Sequence, residues 1–279
     1  MIGSPVIMLE RIDSTNAYAM RGLETNGWTD GAVILARDQF AGCGQHDHKW
    51  HSEPGKNLTF TLVLHPVFLP PDHQFLLNKA ITVAVLEYIR DTVHTDPVRF
   101  SDQKTSPGTI LSDPLSGIFH DKHSPAKSHQ TYIKWPNDIY LDERKVAGIL
   151  IENRIMGTGF DTALVGVGVN INQLNFPVEL PNAGSLAQVL GHDLDMTEAL
   201  KSLCKKMDQR YNLLRYSEPK NLGADYCFNL KGFGQWGKFT TGNENLDGKI
   251  KGVDDFGRLI IELRNGKTCS FNHKEIEFV

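Results

Sequence analysis

Two lysines and a carboxylate fall close together in the segments Lys134-Trp-Pro-Asn-Asp138 and Lys145-Val-Ala-Gly-Ile-Leu-Ile151. A strand ending near Lys134 meets Pro136, which forces the chain into a turn. That turn is expected to present Asn137 and Asp138 outward, and a hairpin returns as the strand that carries Lys145. Local structure alone then gathers two ammonium groups and a carboxylate at one sheet end. Such a set can neutralise an anionic centre and hold or take a proton. A solvated, charged hairpin has the same composition, so the segment does not decide its own role.

The elements that must position these residues follow from periodicity. Residues 6–9, 31–36 and 58–64 read as strands, the last rich in β-branched and aromatic types. Asp13 or Ser14 can cap a helix over residues 16–24. A loop rich in Gly and His spans residues 39–55. Apolar residues at helical spacing make residues 75–92 a core helix. Residues 101–130 are rich in Ser, Pro, His, Gly and Asp, lack periodicity and read as an insertion, because a structureless stretch of that length is unusual inside a domain. Strands resume at 132–135, 146–151 and 163–171, and helices at 197–216 and 219–230. From residue 232 the texture changes to short alternating strands with turn signals at Asp255-Phe-Gly257 and Asn265-Gly266. The expected architecture is α/β (α+β), a mixed sheet flanked by helices over residues 1–231, followed by a small SH3-like β-barrel over 232–279.

The 279 residues carry 40% hydrophobic and 22% charged residues and a net charge of −4, as in an ordinary globular protein. The C-terminal part has nearly balanced charge, so no patch for nucleic acid is expected. No run approaches the length of a membrane span, the N-terminus lacks a signal-peptide pattern, and the four cysteines form no CxxC. A cytoplasmic protein with no membrane partner is expected.

The order of motifs resembles that of the biotin protein ligases of the short type. Lys134-Trp-Pro-Asn-Asp138 and Lys145-Val-Ala-Gly-Ile-Leu-Ile-Glu152 are similar to the signature of that family, and Gly166-Val-Gly-Val-Asn170 to its glycine-rich strand end. Asp13-Ser-Thr-Asn16, Gln39 and Pro54-Gly-Lys-Asn-Leu-Thr-Phe60 resemble its upstream segments. The resemblance implies a fold like that of class II tRNA synthetases. It implies ATP-dependent ligation of biotin to a lysine of a biotin carboxyl carrier protein through biotinyl-5′-AMP. Lys145 and Asp138 would be the catalytic pair. Ser14, Thr15, Asn16, Gln39, Gly42, Lys145 and Gly148 would bind biotin. Cys43, Gly44, Gln45, His46, Trp50, Lys134, Asn137, Gly168 and Asn170 would bind ATP or the adenylate. Mg²⁺ would come with ATP rather than at a protein metal site. A homodimer is left open.

The chain departs from the family in one loop. Where the family reads G-R-G-x-x-G-x-x-W, this chain reads Gly42-Cys-Gly-Gln-His-Asp-His-Lys-Trp50, with Cys43 at the arginine and Asp47 at the third glycine. A thiol does not replace the five donors of a guanidinium. His46, His48 and Lys49 are candidates to compensate. Two alternatives stay open at this point: a biotin-binding homologue with weak or no ligase activity, and a lipoate-type ligase.

Overall fold

The computed structural model describes residues 1–25, 27–44, 49–95, 129–156, 159–216, 219–242 and 244–279. The insertion expected at 101–130 lies outside the described residues, except for its last two positions. In chain order the elements of the first unit are β1 (Val6–Ile12), α1 (Thr15–Gly22), β2 (Val33–Gln39), β3 (Leu58–Leu64), α2 (Phe75–Thr95), β4 (Thr131–Lys134), β5 (Asp138–Leu141), β6 (Arg144–Met156), β7 (Gly159–Val169), α3 (Leu186–Leu190), α4 (Met196–Tyr216) and α5 (Pro219–Phe228). The seven strands form one mixed sheet in the order β1-β2-β3-β7-β6-β5-β4, parallel at β1–β2 and antiparallel at every other pair.

The two faces of this sheet are written in the strand sequences with period two. On β3, Leu58, Phe60, Leu62 and Leu64 enter the main core, where Ala163, Val165, Val167 and Val169 of β7 and Ile149 of β6 join them. The long helix α2 covers that face and packs in turn on α4 and α5. The intervening residues face α1 instead. They are Thr59, Thr61 and Val63 on β3, Gly166, Gly168 and Leu164 on β7, and Gly148, Leu150 and Glu152 on β6. Around α1, the apolar part of that face is a small cluster of Ala19, Ile34, Val63 and Leu164. The rest of it is lined by polar residues and glycine.

Several boundaries differ from expectation. The helix expected at 75–92 runs on to Thr95, and the strand expected at 146–151 is the middle of the longer β6. The helix α3 was not signalled by periodicity because it has five residues; its Ser185–Gln188 capping box and the left-handed Gly191 explain its ends. Ser14, not Asp13, caps α1. Asp13 instead accepts two bonds from Arg21 at 2.8 and 2.9 Å, and these, with the Ser14 backbone N–H, hold its carboxyl down at about 2.

The C-terminal strands β8 (Trp236–Thr241), β9 (Glu244–Val253), β10 (Leu259–Leu263), β11 (Thr268–Phe271) and β12 (Glu277–Phe278) form an antiparallel sheet in the order β11-β10-β9-β8-β12. It is consistent with the SH3-like unit expected from sequence, but among the described residues it does not close into a barrel. The terminal β12 has two residues, pairs with β8, and reaches β11 by no ladder among the described residues. The sheet shares the main core through Phe239, Ile250, Val253, Leu259, Ile261 and Ile276. Polar bonds pin it: Lys79 Nζ donates to the Val253 carbonyl at 2.9 Å and Trp135 Nε1 to that of Gly257 at 3.0 Å. Burial pushes the Lys79 ammonium down in pKa. Gly257 has φ +85° and a Cβ there would stand 2.5 Å from the Phe75 ring, so the turn admits no larger residue without movement.

One bond ties this helical layer to the Pro136 turn. Tyr226 on α5 is fully buried, and its hydroxyl donates to the Pro136 carbonyl at 2.5 Å. Tyr226→Phe should leave that carbonyl short of a donor, at a cost of about 1–3 kcal/mol. In a domain near this size that lowers the melting temperature by roughly 2–4 °C per kcal/mol. An unchanged melt would mean that the bond contributes nothing to stability.

Candidate active site

Register places the chemistry-bearing residues in rows across the sheet. One row runs Lys134–Asp138–Gly148–Gly168–Thr59 across β4, β5, β6, β7 and β3. The next runs Leu150–Gly166–Thr61. Both rows face α1, and a cavity of about 250 Å³ lies over them. Its floor is flat because it is glycine. A Cβ at Gly168 would stand 2.3 Å from Trp50 Cε2, and one at Gly166 would stand 2.6 Å from Asn16 Oδ1. Glycine is required at both positions for the indole and the carboxamide to lie where they do.

Lys145 reaches this face through a bulge. The β5–β6 register shifts between Ile139, opposite Ala147, and Tyr140, opposite Lys145. Strict alternation from Gly148 would put Val146 on the cavity face and Lys145 in the core. The shift reverses this. Val146 is fully buried in the core, and Lys145 Nζ stands 2.7 Å from Asp138 Oδ1 with both side chains about one-third exposed. A β-bulge beside a site commonly re-aims a side chain in this way. The ammonium also lies 5.8 Å from the centre of the Trp50 ring. Trp50 Nε1 is buried with no hydrogen-bond partner among the described residues, a donor that a bound molecule could satisfy.

The opposite corner is neutral and hydrogen-bonded. Ser14 accepts from Ala17 N as the cap of α1 and also lines the cavity. Thr15 N donates to Gln39 Oε1 at 2.9 Å, and Asn16 Nδ2 to Glu152 Oε2 at 2.6 Å. Gly42 closes over Gln39, since a Cβ there would be 2.4 Å from Gln39 Nε2.

The structure brings Ser14, Thr15, Asn16, Gln39, Cys43, Gly44, Trp50, Lys134, Asn137, Asp138, Lys145, Gly148 and Gly168 to one cavity wall. Two expected residues stand outside the wall. Gly42 lies behind Gln39, and Asn170 is buried beyond the end of β7, donating to the Gly184 carbonyl at 2.9 Å while its Oδ1 has no partner among the described residues. Gln45 and His46 lie outside the described residues, as do Asp47 and His48. Asn137 corrects the expectation of an outward-facing turn. It is 3% exposed and donates to the Ile149 carbonyl, which fastens the turn to β6 so that Asp138 alone is presented. Lys49, a candidate to compensate for the absent arginine, is on the same wall, and sequence reasoning missed Thr59, Phe60 and His273 as wall residues. His273 comes from the C-terminal sheet and stacks edge-on against Trp135 at 5.5 Å, a contact that no local pattern signals.

Comparison with known proteins settles the family. Residues 8–170, more than half of the chain, match the biotin/lipoate A/B protein ligase family, and residues 238–278 match the biotin protein ligase C terminal domain. The chain belongs to the biotin/lipoate A/B protein ligase family. Among relatives of this family member, the biotin--[acetyl-CoA-carboxylase] ligase of Paracoccus denitrificans is 28% identical over 93% of this chain and 95% of its own length. The bifunctional ligase/repressor BirA of Bacillus subtilis is also 28% identical, over 95% of this chain and 72% of its own. In fold, the ligase-family chain is similar to the biotin protein ligase from Aquifex aeolicus in complex with biotin and ATP. The TM-score is 0.67 at 23% identity, covering 99% of each chain. No group of three or more His, Cys, Asp or Glu side chains is placed to hold a metal ion among the described residues, and no helix there is long and apolar enough to cross a membrane.

The glycine floor gives a direct test. Gly168→Ala should displace the Trp50 indole and shift its fluorescence relative to a Trp50→Phe reference, with far-ultraviolet circular dichroism unchanged. An emission spectrum identical to wild type would mean that Trp50 does not rest on Gly168.

Proposed function

We infer that the chain joins biotin to a lysine of a carrier protein by way of biotinyl-AMP. The observation that carries this reading is the Lys145 ammonium held at 2.7 Å from Asp138 at the charged end of a cavity whose other end is neutral and hydrogen-bonding. Adenylation brings the biotin carboxylate against the α-phosphorus of ATP, and pyrophosphate leaves. Two anions must meet, and fixed cations in a partly closed cavity lower the cost of that approach. Lys145 supplies the central charge, with Lys134 and Lys49 on the same wall. Three lysines against one carboxylate, Asp138, fit an anionic nucleotide. Mg²⁺ held by the ATP phosphates would neutralise the leaving group. In the second step a neutral carrier amine attacks the acyl carbon and AMP departs. Asp138 orients that amine or takes its proton.

Relatives support the substrates. Solved structures of the same fold hold biotin and ATP in the Aquifex aeolicus protein and biotinyl-5-AMP in that of Leishmania major, and the Paracoccus relative is named for acetyl-CoA carboxylase. The carrier proposed here is accordingly the biotin carboxyl carrier protein of such a carboxylase. The match of residues 238–278 to the biotin protein ligase C terminal domain favours biotin over lipoate. The deciding experiment supplies biotin, Mg·ATP and a biotin carboxyl carrier domain and reads biotinylation and pyrophosphate release. Release driven equally by lipoate, or no release with biotin, would overturn the reading.

Lys145→Ala should reduce biotin-dependent pyrophosphate release by roughly 10² to 10³ with little change in melting temperature. Release at the wild-type rate would make Lys145 a surface lysine. Asp138→Asn should slow transfer to the carrier more than adenylation.

Cys43 is exposed at the cavity edge, with its Sγ 3.4 Å from the Ala41 carbonyl. Cys43→Arg places a guanidinium there, and each charge-assisted hydrogen bond it makes is worth about 1.5–3 kcal/mol before desolvation. Loss of preformed biotinyl-AMP should slow severalfold or more. An unchanged or faster rate would show that the side chain at position 43 does not reach the adenylate.

A further inference from the structure

His65 directly follows β3 and takes no part in the cavity wall. Both of its ring nitrogens meet carbonyl oxygens. Nδ1 stands 2.9 Å from the Asp161 carbonyl on β7, and Nε2 stands 3.0 Å from the Trp28 carbonyl in the loop after α1. The Thr162 hydroxyl, 3.3 Å from Nδ1, donates to Asp161 Oδ2 and so shows that nitrogen only lone pairs. A carbonyl cannot donate, and a neutral imidazole carries one N–H. The ring therefore satisfies the carbonyls on both sides only when both nitrogens are protonated. With one proton fewer, a ring lone pair faces a carbonyl lone pair and one bond is lost.

The charged groups around the ring favour the same state. Asp30, whose Oδ1 accepts from the His65 backbone N–H at 2.8 Å, and Asp161 are both anionic neighbours of the imidazole. Arg154 on β6 stands 3.6 Å from Asp161 Oδ2 and offsets part of that charge, and Glu24 stands 3.9 Å from Arg154. On α4, Tyr211 lies near Asp30 with Arg215 close by, and burial keeps its hydroxyl protonated. Burial of the ring itself works against the charge. The Trp28 and Asp161 carbonyls and the two carboxylates outweigh it, so the His65 pKa lies above its ordinary value.

The loop held by this ring bears on the cavity through α1. Trp28 Nε1 donates to the Ala19 carbonyl of α1 at 2.9 Å, and its ring packs with Tyr18 against the cluster of Ala19, Ile34, Val63 and Leu164. The helix has eight residues, and its other end puts Thr15 and Asn16, with the cap Ser14, on the cavity wall. We propose that His65 is a pH-dependent clamp: its imidazolium ties the Trp28 loop to β7 and so seats α1, and loss of one proton frees the loop and loosens the wall. The sign follows from linkage. With a folded pKa above the unfolded value of 6.5, the clamp is complete below that value and is lost as pH rises through the folded pKa. The consequence for biotin rests on the function inferred above; the clamp does not.

Three readouts on the full chain, between about pH 6 and about pH 9, test this. The first is the His65 ring in ¹H–¹⁵N spectra, assigned by its loss in His65→Gln, or in His65→Asn should the first variant not fold. Both ring nitrogens should still carry protons at about pH 7. The second is the Trp28 indole N–H, assigned by its loss in Trp28→Phe. It should shift with the same midpoint as the ring and stop titrating in the His65 variant. The third is biotin Kd by calorimetry without ATP. Across the range it should rise about threefold more in wild type than in the variant, a comparison that removes any titration of His273 on the wall. A ring that loses its second proton at or below the ordinary histidine pKa, or an indole that does not follow the ring, would overturn the clamp. Equal pH dependence of Kd in the two proteins would overturn its reach to the cavity. If wild type binds no biotin while ring and indole titrate together, the biotin reading falls and the clamp stands.

Discussion

A sheet that is apolar on one face can leave its other face bare only if the backbone there needs no side chains to hold it. That condition is met at Gly148, Gly166 and Gly168, three glycines on two adjacent central strands. Glycine in a strand interior is destabilising by roughly 0.5–1 kcal/mol relative to alanine. The offset comes from the opposite face, where Ala147, Ile149, Val165, Val167 and Val169 are buried under α2. Those residues alternate with the glycines in sequence, so one stretch of chain both builds the core and empties the site.

The bulge opposite Tyr140 is the second requirement. A lysine in the middle of a buried strand has two outcomes: its ammonium is forced into the core, or the strand slips. The register shift avoids both by placing Val146 in the core and Lys145 on the cavity face. Asp138 then stands within 2.7 Å, partly neutralising the charge. Asn137 and Tyr226 hold the turn from within, one on the Ile149 carbonyl and the other on that of Pro136. The positions of the reactive pair are therefore set by buried bonds on either side of them.

The parts of this arrangement that sequence makes legible are those carried by strong periodicity or by contiguous motifs. The alternation of β3, the long apolar α2 and the run from Lys134 to Ile151 announce the sheet, its helical cover and the cluster of charge. Lys145 was expected beside Asp138, but the bulge that aims it was not, because a one-residue shift leaves no mark on composition. Asn137 looked like an exposed turn residue because turns favour asparagine; its inward bond depends on where β6 lies. His273 joins the site only through packing of the C-terminal sheet, and Thr61 meets Asn16 only because α1 lies over β3. The barrel expected from short strands remains an open sheet, since strand length and turn signals do not reveal whether the two ends meet.

The rows also fix a direction across the cavity. Neighbouring strands are about 4.8 Å apart, so the neutral corner at Gly166 on β7 and the Asp138 carboxylate on β5 are separated by about 10 Å across two strand spacings, and by one further row along the strands. The neutral end is closed by buried side chains that hydrogen-bond to one another, while the charged end has Lys145 and Asp138 each about one-third exposed. A ligand with a neutral polar head and a carboxylate some distance from it can satisfy both ends in only one orientation. Reversed, its carboxylate would meet the corner where Asn16 is already bonded to the Glu152 carboxylate, a group of the same sign. On the biotin reading, that sign difference puts the carboxylate at Lys145, where the partly open end gives a nucleotide and then a carrier lysine room to approach.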